Sequence, residues 1–379
     1  MTRIPFALPD IGTDEIDAVA ACMASGWLTS GPAVKAFEES FAARLGATEA
    51  IAVSSATNAS LILMDALGVG KGTEVIVSAY TFSGPAMMAH KLGAMVKVAD
   101  CIPGSYQVDP VSVKALINER TIAVMPTHFG GASCDMKSLK TICDAAGIFL
   151  IDDAAHAFPT YDMTTLNLVG SGKDSDATFF SFYATKTLTT GEGGMITTNS
   201  PHIAGRVRKF RSHGFDKQMF DRYTNVKTGW KYDIAAPGWK ANMTDMQATI
   251  GLVQLARTSE MHMKRRLLAE QYNRELAALV PGIKLPVPDN GNAWHLYPIQ
   301  VFERDRFVAE MGELGVQCSV HFIPLTMHSY WRGVLSKKNT APNAEFMHTY
   351  ECSLPLYSKM TGNDVSTVVA ALTRVLGNR

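Results

Sequence analysis

The chain has 379 residues, of which 47% are hydrophobic and 18% charged, and its formal net charge is zero. Because single cores rarely grow past about 250–300 residues, this length favours one large domain and a smaller one. The even charge balance excludes the basic surface of a nucleic-acid-binding protein, and no apolar run reaches the roughly 18–20 residues that span a bilayer. We therefore expect partners other than nucleic acid or membrane.

The N-terminus and the cysteines favour a cytoplasmic location. The first 17 residues contain prolines and acidic residues where a secretory signal peptide needs an apolar segment. The six cysteines are scattered without a C-x-x-C pair, which is typical of reduced thiols rather than of disulfides or zinc ligands. We expect no metal site.

Short apolar runs rich in β-branched residues alternate with helical patterns in the first half of the chain. Helical patterns cover 57–67, 83–93, 110–118 and 135–146. Strands are predicted at 50–54, 74–78, 94–99, 122–127, 148–152, 177–182 and 194–198. This alternation predicts an α/β domain whose mostly parallel sheet is covered by helices on both faces. Since parallel α/β sheets bind ligands at the carboxyl ends of their strands, we expect the functional residues there.

The second half of the chain begins with a long helical pattern at 243–277. Further strands are predicted at 294–302 and 316–323, and further helices at 304–314 and 362–377. These elements predict a smaller C-terminal α+β domain. We place the large domain at 1–257 and the small domain at 258–379.

Two carboxylates and a histidine follow the strand predicted at 148–152, in the sequence FLIDDAAHAF. Asp152 and Asp153 point to opposite sides of an extended chain, so only one of them needs to face a ligand. An ionised aspartate beside a pyridine nitrogen would keep that nitrogen protonated, and His156 can offer a ring N–H to a phenolate. A metal site or a structural ion pair is the alternative interpretation, but no second acidic or histidine cluster has matching spacing.

Lys186 lies in a turn after the strand predicted at 177–182, in the sequence SFYATKTLTTGEGG (181–194). The alternative interpretation is an ordinary exposed lysine. A lysine withdrawn from solvent instead has a lowered pKa and attacks an aldehyde as the free amine. Ser181, at the end of the strand, carries a hydroxyl that can bind phosphate.

Two other strand ends carry small or aromatic residues. In SSATNAS (54–60), the small residues Ser54, Ser55 and Ala56 let backbone N–H groups approach an anion at a helix N-terminus, and Thr57 adds a hydroxyl donor. The alternative interpretation of this segment is an ordinary helix cap. Phe82 can stack on a planar ring, unless it belongs to the core. With Lys186 and Asp153, these residues make the minimal set for binding pyridoxal 5′-phosphate (PLP).

Further motifs extend the pattern over nearly the whole chain. They are GWLTSGPAVKAFE (26–38), SSATNA (54–59), GTEVIVSAYTF (72–82), PTHFGGASCDM (126–136), DDAAHA (152–157), SFYATKTLTTGEGG (181–194), RSHG (211–214), GWKANMTDMQATIGLVQL (238–255), WHLYPI (294–299), SVHFIPL (319–325) and SLPLY (353–357). In these motifs the chain resembles the DegT/DnrJ/EryC1/StrS family of sugar aminotransferases. The resemblance implies the fold type I architecture of PLP-dependent enzymes.

The resemblance also implies roles for individual residues around the cofactor. Lys186 matches the lysine that binds PLP covalently, and Asp153 matches the partner of its pyridine nitrogen. His156 matches a residue near the ring oxygen, and Phe82 matches the aromatic residue that stacks on the ring. Ala56, Thr57 and Ser181 match the phosphate-binding residues.

Further implied roles concern the partner subunit and the substrates. Asn242 matches an asparagine that reaches the phosphate of the partner subunit, which implies a homodimer with shared active sites. Trp27, Thr29 and His321 match segments near the nucleotide-sugar. No residue is assigned to the carboxylate of the amino donor, for which Arg211, His213 and Lys240 are the candidates.

The implied activity is transfer of an amino group from an amino acid, L-glutamate, to a nucleotide-linked 4-keto-6-deoxy sugar. The motifs DAAHA (153–157) and KANMTD (240–245) are more similar to the branch that aminates C4 than to the C3 branch. Relatives with histidine in place of the lysine are PLP-dependent sugar dehydratases, and Lys186 argues against that alternative. A PLP-binding regulatory protein is a second alternative, but no DNA-binding extension is present in the sequence.

Overall fold

The computed structural model describes residues 3–216, 230–279, 283–287, 289–337 and 339–377. Its helices are α1 (Thr13–Ala24), α2 (Pro32–Leu45), α3 (Ala56–Ala66), α4 (Ser83–Lys91), α5 (Pro110–Leu116), α6 (Met136–Ala146), α7 (Pro201–Phe210), α8 (Asp245–Leu279), α9 (Arg304–Glu313), α10 (Ser329–Val334), α11 (Pro342–Tyr350) and α12 (Gly362–Gly377). Its strands are β1 (Glu49–Val53), β2 (Glu74–Ser78), β3 (Met95–Ala99), β4 (Thr121–Met125), β5 (Phe149–Asp153), β6 (Ala177–Ser181), β7 (Gly194–Thr198), β8 (Tyr297–Gln300) and β9 (Glu351–Leu354).

Seven strands form one mixed sheet in the order β1-β7-β6-β5-β4-β2-β3. Neighbouring strands from β6 through β5, β4 and β2 to β3 are parallel. Strand β7 runs antiparallel to both of its neighbours, β1 and β6. All seven strands begin within one residue of their predicted starts, because short β-branched runs buried on both faces mark such strands clearly. The predicted mostly parallel α/β sheet with flanking helices is confirmed.

The carboxyl ends of the central strands lie together at one edge of this sheet. Asp153 ends β5, and its backbone forms a parallel bridge with Thr127 just after β4. Ser181 ends β6, the neighbour of β5 on the other side. The sheet therefore places at one edge the side chains that lie far apart in the sequence.

A second apolar core surrounds the two-stranded antiparallel sheet of β8 and β9. Leu268, Tyr272 and Leu276 of α8 pack in it with Val368 and Leu372 of α12. The predicted boundary at 257/258 falls inside α8, and the domain division stays a prediction. Among the described residues, no helix has the length and apolarity required to cross a bilayer.

Two strand predictions in this part of the chain were too generous. The strand predicted at 294–302 covers only Tyr297–Gln300, because Trp294 has a positive φ of 52° that an extended strand does not allow. The strand predicted at 316–323 does not form. Its backbone instead makes isolated bridges, from Val316 to Ile4 and from Ser319 to Ser353, so no continuous ladder develops.

Candidate active site

A cavity of about 420 Å³ lies at the carboxyl edge of the seven-stranded sheet. It is lined by residues at or just after the carboxyl ends of β1, β2, β4, β5 and β6, together with Phe6 near the N-terminus and residues of the C-terminal part of the chain. The predicted site residues among them are Ala56, Thr57, Phe82, Asp153, His156, Ser181, Lys186 and His321. One cavity therefore brings together eight residues that the sequence assigned to cofactor or substrate.

Lys186 is half-buried in a turn that follows β6, where its backbone N–H donates to the carbonyl of Tyr183 at 2.9 Å. Its amine makes no hydrogen bond or ion pair with any described residue. Withdrawal from solvent lowers the pKa of Lys186 to about 8, although the nearby Asp153 opposes that shift. A fraction of the amine is therefore uncharged and nucleophilic near neutral pH.

Asp153 is buried at the end of β5. Its Oδ1 accepts the backbone N–H of Ala155 at 3.0 Å, and its Oδ2 lies 3.4 Å from the hydroxyl of Thr127. Burial raises the pKa of Asp153 to about 6, and these hydrogen bonds oppose the rise. The carboxylate is consequently ionised at neutral pH and is held in one orientation inside the cavity.

Asp152 serves a different purpose. Its Oδ2 accepts hydrogen bonds from the hydroxyls of Ser175 and Thr178, at 2.8 and 3.1 Å. Asp152 does not line the cavity, whereas Asp153 does. The alternation of side chains along β5 thus gives one aspartate to the cavity and the other to the structure behind it.

His156 is buried against the rings of Phe322 and His295, with ring centroids 5.4 and 4.3 Å away. Its Nδ1 accepts the backbone N–H of Gly130 at 3.3 Å. Burial holds the pKa of His156 well below its usual range, so the ring is neutral. Since Nδ1 is an acceptor, the ring hydrogen is on Nε2, which is then a hydrogen-bond donor.

The N-terminus of α3 forms one wall of the cavity. Ser55 caps this helix by accepting the backbone N–H of Asn58 at 3.1 Å. The N–H groups of Ala56 and Thr57, the first two residues of the helix, have no partner within it. A helix N-terminus with free N–H groups is a favourable place for a phosphate.

A glycine keeps this wall close to the sheet. A Cβ atom on Gly194 would lie 2.8 Å from the backbone nitrogen of Ala56 and 2.7 Å from the carbonyl carbon of Ser55. Such distances are shorter than van der Waals contact. The glycine at the end of the TTGEGG segment therefore lets β7 approach the turn that begins α3.

Phe82 lies at the N-terminal end of α4, and 61% of its surface is exposed. Its ring centroid lies 6.2 Å from that of Phe322. An exposed aromatic ring at the cavity is available to stack on a planar ligand. The alternative that Phe82 belongs to the core is excluded by its exposure.

Several residues that line the cavity had no site role in the sequence analysis, and one of them is His295. His295 is buried, and its Nδ1 has no hydrogen-bond partner among the described residues. The motif WHLYPI contains it, but nothing local shows that it packs on His156, 139 residues earlier in the chain. The others that line the cavity are Phe6, Ser55, Thr81, Pro85, Thr127, Ala155, Phe179, Tyr183, Thr185, Glu192 and Phe322.

Three predicted site residues do not line this cavity within one chain: Trp27, Thr29 and Asn242. Asn242 donates from Nδ2 to the hydroxyl of Ser30 at 2.7 Å and accepts from Lys240 at 2.6 Å. The carbonyl of Thr29 accepts the backbone N–H of Asp245 at 3.2 Å. The roles of these three residues stay predictions.

The candidates for binding the donor carboxylate also lie elsewhere. Arg211 is buried in an ion pair with Glu38, and Lys240 donates to Asn242. Neither of these side chains lines the cavity, and His213 does not line it either. The neighbouring Arg208 is ion-paired with Glu38 and with Glu49.

The side chains in the cavity fit PLP. An unpaired amine of lowered pKa suits an aldehyde, a buried carboxylate suits a protonated ring nitrogen, and a helix N-terminus suits a phosphate. The exposed ring of Phe82 and the donor on His156 complete the set. The described residues contain no cluster of three or more acidic, histidine or cysteine side chains arranged to hold a metal ion.

Comparison with known proteins places the chain among enzymes. The model of the DegT/DnrJ/EryC1/StrS aminotransferase family matches residues 9–373. The spore coat polysaccharide biosynthesis protein SpsC of Bacillus subtilis (strain 168) is 40% identical over 384 residues, covering 98% of this chain and 97% of its own.

Solved structures share the whole fold. The putative sugar aminotransferase Spr1654 from Streptococcus pneumoniae, in its PLP form, is 27% identical with a TM-score of 0.90, covering 100% of this chain and 99% of its own. The same protein is known in a PMP form. Helicobacter pylori PseC, an aminotransferase involved in the biosynthesis of pseudoaminic acid, is 25% identical with a TM-score of 0.90 and full coverage of both chains. With this fold, this cavity and a family match over nearly its entire length, the chain belongs to the DegT/DnrJ/EryC1/StrS aminotransferase family.

Proposed function

We propose that this chain is a PLP-dependent nucleotide-sugar aminotransferase. It moves the amino group of an amino acid, L-glutamate, to the keto carbon of a nucleotide-linked sugar. The supporting observation is that the unpaired amine of Lys186 and the buried carboxylate of Asp153 line one cavity at the carboxyl edge of the sheet. The alternative of a solvated lysine does not explain why this lysine lines the same cavity as a buried carboxylate.

The protein residues divide the chemistry among them. When bound, PLP supplies an aldehyde that carries the amino group and a ring that stabilises negative charge on the reacting carbon. Lys186 Nζ would hold the cofactor until the amino donor takes its place, and the released amine would then be the base that takes the proton from the α-carbon of the donor. Asp153 would keep the ring nitrogen protonated, which strengthens the withdrawal of electrons from that carbon.

Other residues would bind and orient the cofactor. The N–H groups of Ala56 and Thr57, together with the hydroxyls of Thr57 and Ser181, are suited to its phosphate. Nε2 of His156 would donate a hydrogen bond to the ring oxygen, and the ring of Phe82 would stack on the cofactor ring.

A keto sugar is the proposed amino acceptor. SpsC is named for spore coat polysaccharide biosynthesis, and PseC for the biosynthesis of pseudoaminic acid. The motifs at 153–157 and 240–245 favour a 4-keto-6-deoxy sugar, and the product would be an amino sugar for a polysaccharide or a secondary metabolite. All six cysteines are free thiols, which agrees with a reducing compartment such as the cytoplasm.

We also propose that the enzyme is a homodimer with shared active sites. Asn242 and Ser30 lie outside the cavity of their own chain and help to line a second cleft, which also contains Arg211 and Lys209. In a symmetric dimer this surface would complete the cavity of the partner, with Asn242 at the cofactor phosphate. Trp27 and Thr29, close to the same cleft in the sequence, would approach the nucleotide-sugar from there.

A half-reaction tests the proposed activity. The PLP-loaded enzyme is mixed with L-glutamate, and loss of the yellow cofactor absorbance is followed together with release of 2-oxoglutarate. Nucleotide-linked 4-keto and 3-keto sugars are then supplied as amino acceptors. A sugar dehydratase or a regulatory protein would release no 2-oxoglutarate, and that result would reject the proposal.

Lys186→Ala should abolish turnover without preventing folding. The matched control is Lys137→Ala, because Lys137 is an exposed lysine of α6 far from the cavity lining. In the wild-type enzyme, borohydride reduction followed by digestion and mass spectrometry should locate the cofactor on Lys186. A label on another lysine would exclude the assigned role of Lys186.

A further inference from the structure

Behind the cavity, a buried carboxyl group is linked to His321 by hydrogen bonds. Glu351 begins β9 and has no exposed surface. Its Oε2 accepts the backbone N–H of His321 at 2.8 Å, and its Oε1 lies 2.6 Å from Oγ of Ser353. Oγ of Ser353 lies 3.2 Å from Nδ1 of His321. The three side chains therefore form one continuous chain of hydrogen bonds that ends at the cavity.

The ring of His321 is also fixed by packing. The ring of Phe6 stacks on it, with centroids 5.2 Å apart and planes 29° apart. Phe322 packs edge-on at 5.5 Å. Because Nδ1 faces Ser353, the remaining ring nitrogen, Nε2, is the one available to a ligand in the cavity that His321 lines.

The ring of His321 is neutral and therefore carries a single hydrogen. Burial and the nearby Lys186 lower the pKa of His321 to about 4. Whether that hydrogen is on Nδ1 or on Nε2 depends on the direction in which the hydroxyl of Ser353 points. If Ser353 donates to Nδ1, the hydrogen of the ring must be on Nε2.

The direction of the Ser353 hydroxyl depends in turn on Glu351. An ionised Glu351 can only accept, so Ser353 would donate to it and accept from Nδ1. A protonated Glu351 can donate from Oε1 to Ser353, which is then free to donate to Nδ1. Glu351 forms no ion pair with a described residue, and a fully buried carboxyl group without a cation favours the protonated form.

We propose that Glu351 and Ser353 are positioning residues that keep a hydrogen on Nε2 of His321, so that this nitrogen donates a hydrogen bond to an oxygen of the bound keto sugar. The sugar contact rests on the proposed function, whereas the control of the ring hydrogen does not.

The charge around Glu351 agrees with this assignment. Burial raises the pKa of Glu351 to about 8, while its hydrogen bonds and Arg304 oppose the rise. The guanidinium of Arg304 donates to the backbone carbonyl of Glu351 at 3.0 Å, and its ion pair is with Asp305. The titratable and charged groups that face Glu351 are Arg304, Tyr80, Tyr106, His321 and Cys352.

Nitrogen NMR of the PLP-loaded enzyme tests the position of the hydrogen. The ten histidines are labelled with ¹⁵N, and a His321→Asn variant identifies the signals of His321. At about pH 6.5 the wild type should carry the hydrogen on Nε2. At about pH 9.5, above the pKa of Glu351, it should carry the hydrogen on Nδ1.

Glu351→Gln separates this mechanism from simple structural support. The glutamine amide donates to Ser353 at every pH, so the hydrogen should stay on Nε2 at both pH values. Ser353→Ala interrupts the chain and should remove the effect of Glu351 on the ring. Ser171→Ala is the matched control, because Ser171 is also buried but its hydroxyl has no partner among the described residues; this variant should behave like the wild type.

Steady-state kinetics test the contact with the sugar. The KM of the wild type for the keto sugar should rise about tenfold between pH 6.5 and 9.5 relative to Glu351→Gln, a change typical of losing one hydrogen bond. The half-reaction with L-glutamate should differ by less than about twofold between the two proteins.

Each of the following results would overturn the inference or part of it. A hydrogen on Nδ1 at pH 6.5, or a wild type and a Glu351→Gln variant that agree at pH 9.5, would reject the control of the ring by Glu351. If Glu351→Gln does not fold, Ser353→Ala takes its place. The same pH-dependent shift of the His321 hydrogen in Ser353→Ala as in the wild type would then reject the control of the ring by Glu351. Identical KM values across the pH range would reject the sugar contact, and failure to turn over any keto sugar would reject the proposed function while the NMR result stands.

Discussion

Arg211 is ion-paired with Glu38, and both side chains are buried between α2, β1 and α7. The same carboxylate accepts the backbone N–H of Ala52 at 2.9 Å and binds Arg208 at 3.1 Å. Arg211 also donates to the carbonyl of Ala52 at 2.8 Å. Arg211 therefore joins α2 to β1 at the edge of the sheet, which explains why it is not in the cavity.

Removing the carboxylate should destabilise the fold strongly. Glu38→Ala leaves the buried guanidinium of Arg211 without a counter-ion, and we expect the free energy of unfolding to fall by about 3–5 kcal/mol. Urea denaturation measures this difference. Glu39→Ala is the control, because Glu39 forms only an exposed pair with Lys35 at 3.9 Å and should change stability by less than about 1 kcal/mol. Equal losses in the two variants would contradict the role of the buried pair.

A methyl group on Gly194 should disturb the phosphate site. Gly194→Ala brings Cβ within 2.8 Å of the Ala56 nitrogen, so either β7 or the turn before α3 must shift. We expect a loss of about 1–3 kcal/mol in stability and a weaker Kd for PLP, measured by titration of the apoenzyme. In Gly312→Ala the new methyl group meets no atom within 4 Å, so this variant should bind PLP normally. Unchanged PLP affinity in Gly194→Ala would show that the close approach is not needed.

The attachment of PLP should depend on pH through Lys186. Only the uncharged amine attacks an aldehyde, so the rate of covalent attachment to the apoenzyme should rise with pH, with a midpoint near 8. Since Asp153 raises the pKa of Lys186, the variant Asp153→Asn should move this midpoint to lower pH. Stopped-flow absorbance at several pH values measures the rate. A midpoint near 10, the ordinary range for lysine, would mean that the amine is not desolvated.

The same pKa predicts how the stability of the apoenzyme changes with pH. The folded-state pKa of Lys186, about 8, lies below the ordinary lysine value of 10.5, so the unfolded chain binds more protons between these two values. The contribution of Lys186 to stability therefore increases as pH rises from about 8 to 10.5. Lys186→Met lacks this group, so its free energy of unfolding, measured by urea denaturation, should exceed that of the wild type by an amount that shrinks across that interval. An advantage that stays constant would place the lysine in water.

Mixing Lys186→Ala with Asn242→Ala, at a PLP concentration that leaves the Asn242→Ala dimer unloaded, tests the shared active site. Lys186→Ala removes the amine, and Asn242→Ala should weaken PLP retention if Asn242 contacts the phosphate of the partner subunit. A mixed dimer then has one site in which both residues are intact, so random exchange should restore about a quarter of the wild-type activity. Enzyme activity is measured after subunit exchange. The control variant is Asn363→Ala, at an exposed position of α12, which should retain PLP like the wild type. No recovery on mixing, with a dimer present, would place Asn242 in the site of its own chain.

The sequence alone was sufficient for the seven strands of the main sheet and for the residues at their ends. Each strand is a short apolar run flanked by glycine, proline or polar residues, and that pattern depends only on neighbours in the chain. Because the carboxyl ends of such strands share one edge of the sheet, the order of strands and polar residues was enough to predict that Asp153, Ser181 and Lys186 lie together.

Only the tertiary structure decided which distant groups meet. The bridges of Val316 and Ser319, the ion pair of Arg211 and the packing of His295 on His156 join residues far apart in the sequence, and no local pattern reports such contacts. The same reason applies to Glu351, which in the sequence is an ordinary acidic residue. In the fold it is buried beside Ser353 and His321, where its carboxyl group accepts the backbone N–H of His321, and the loss of solvent favours the protonated form that can donate to Ser353.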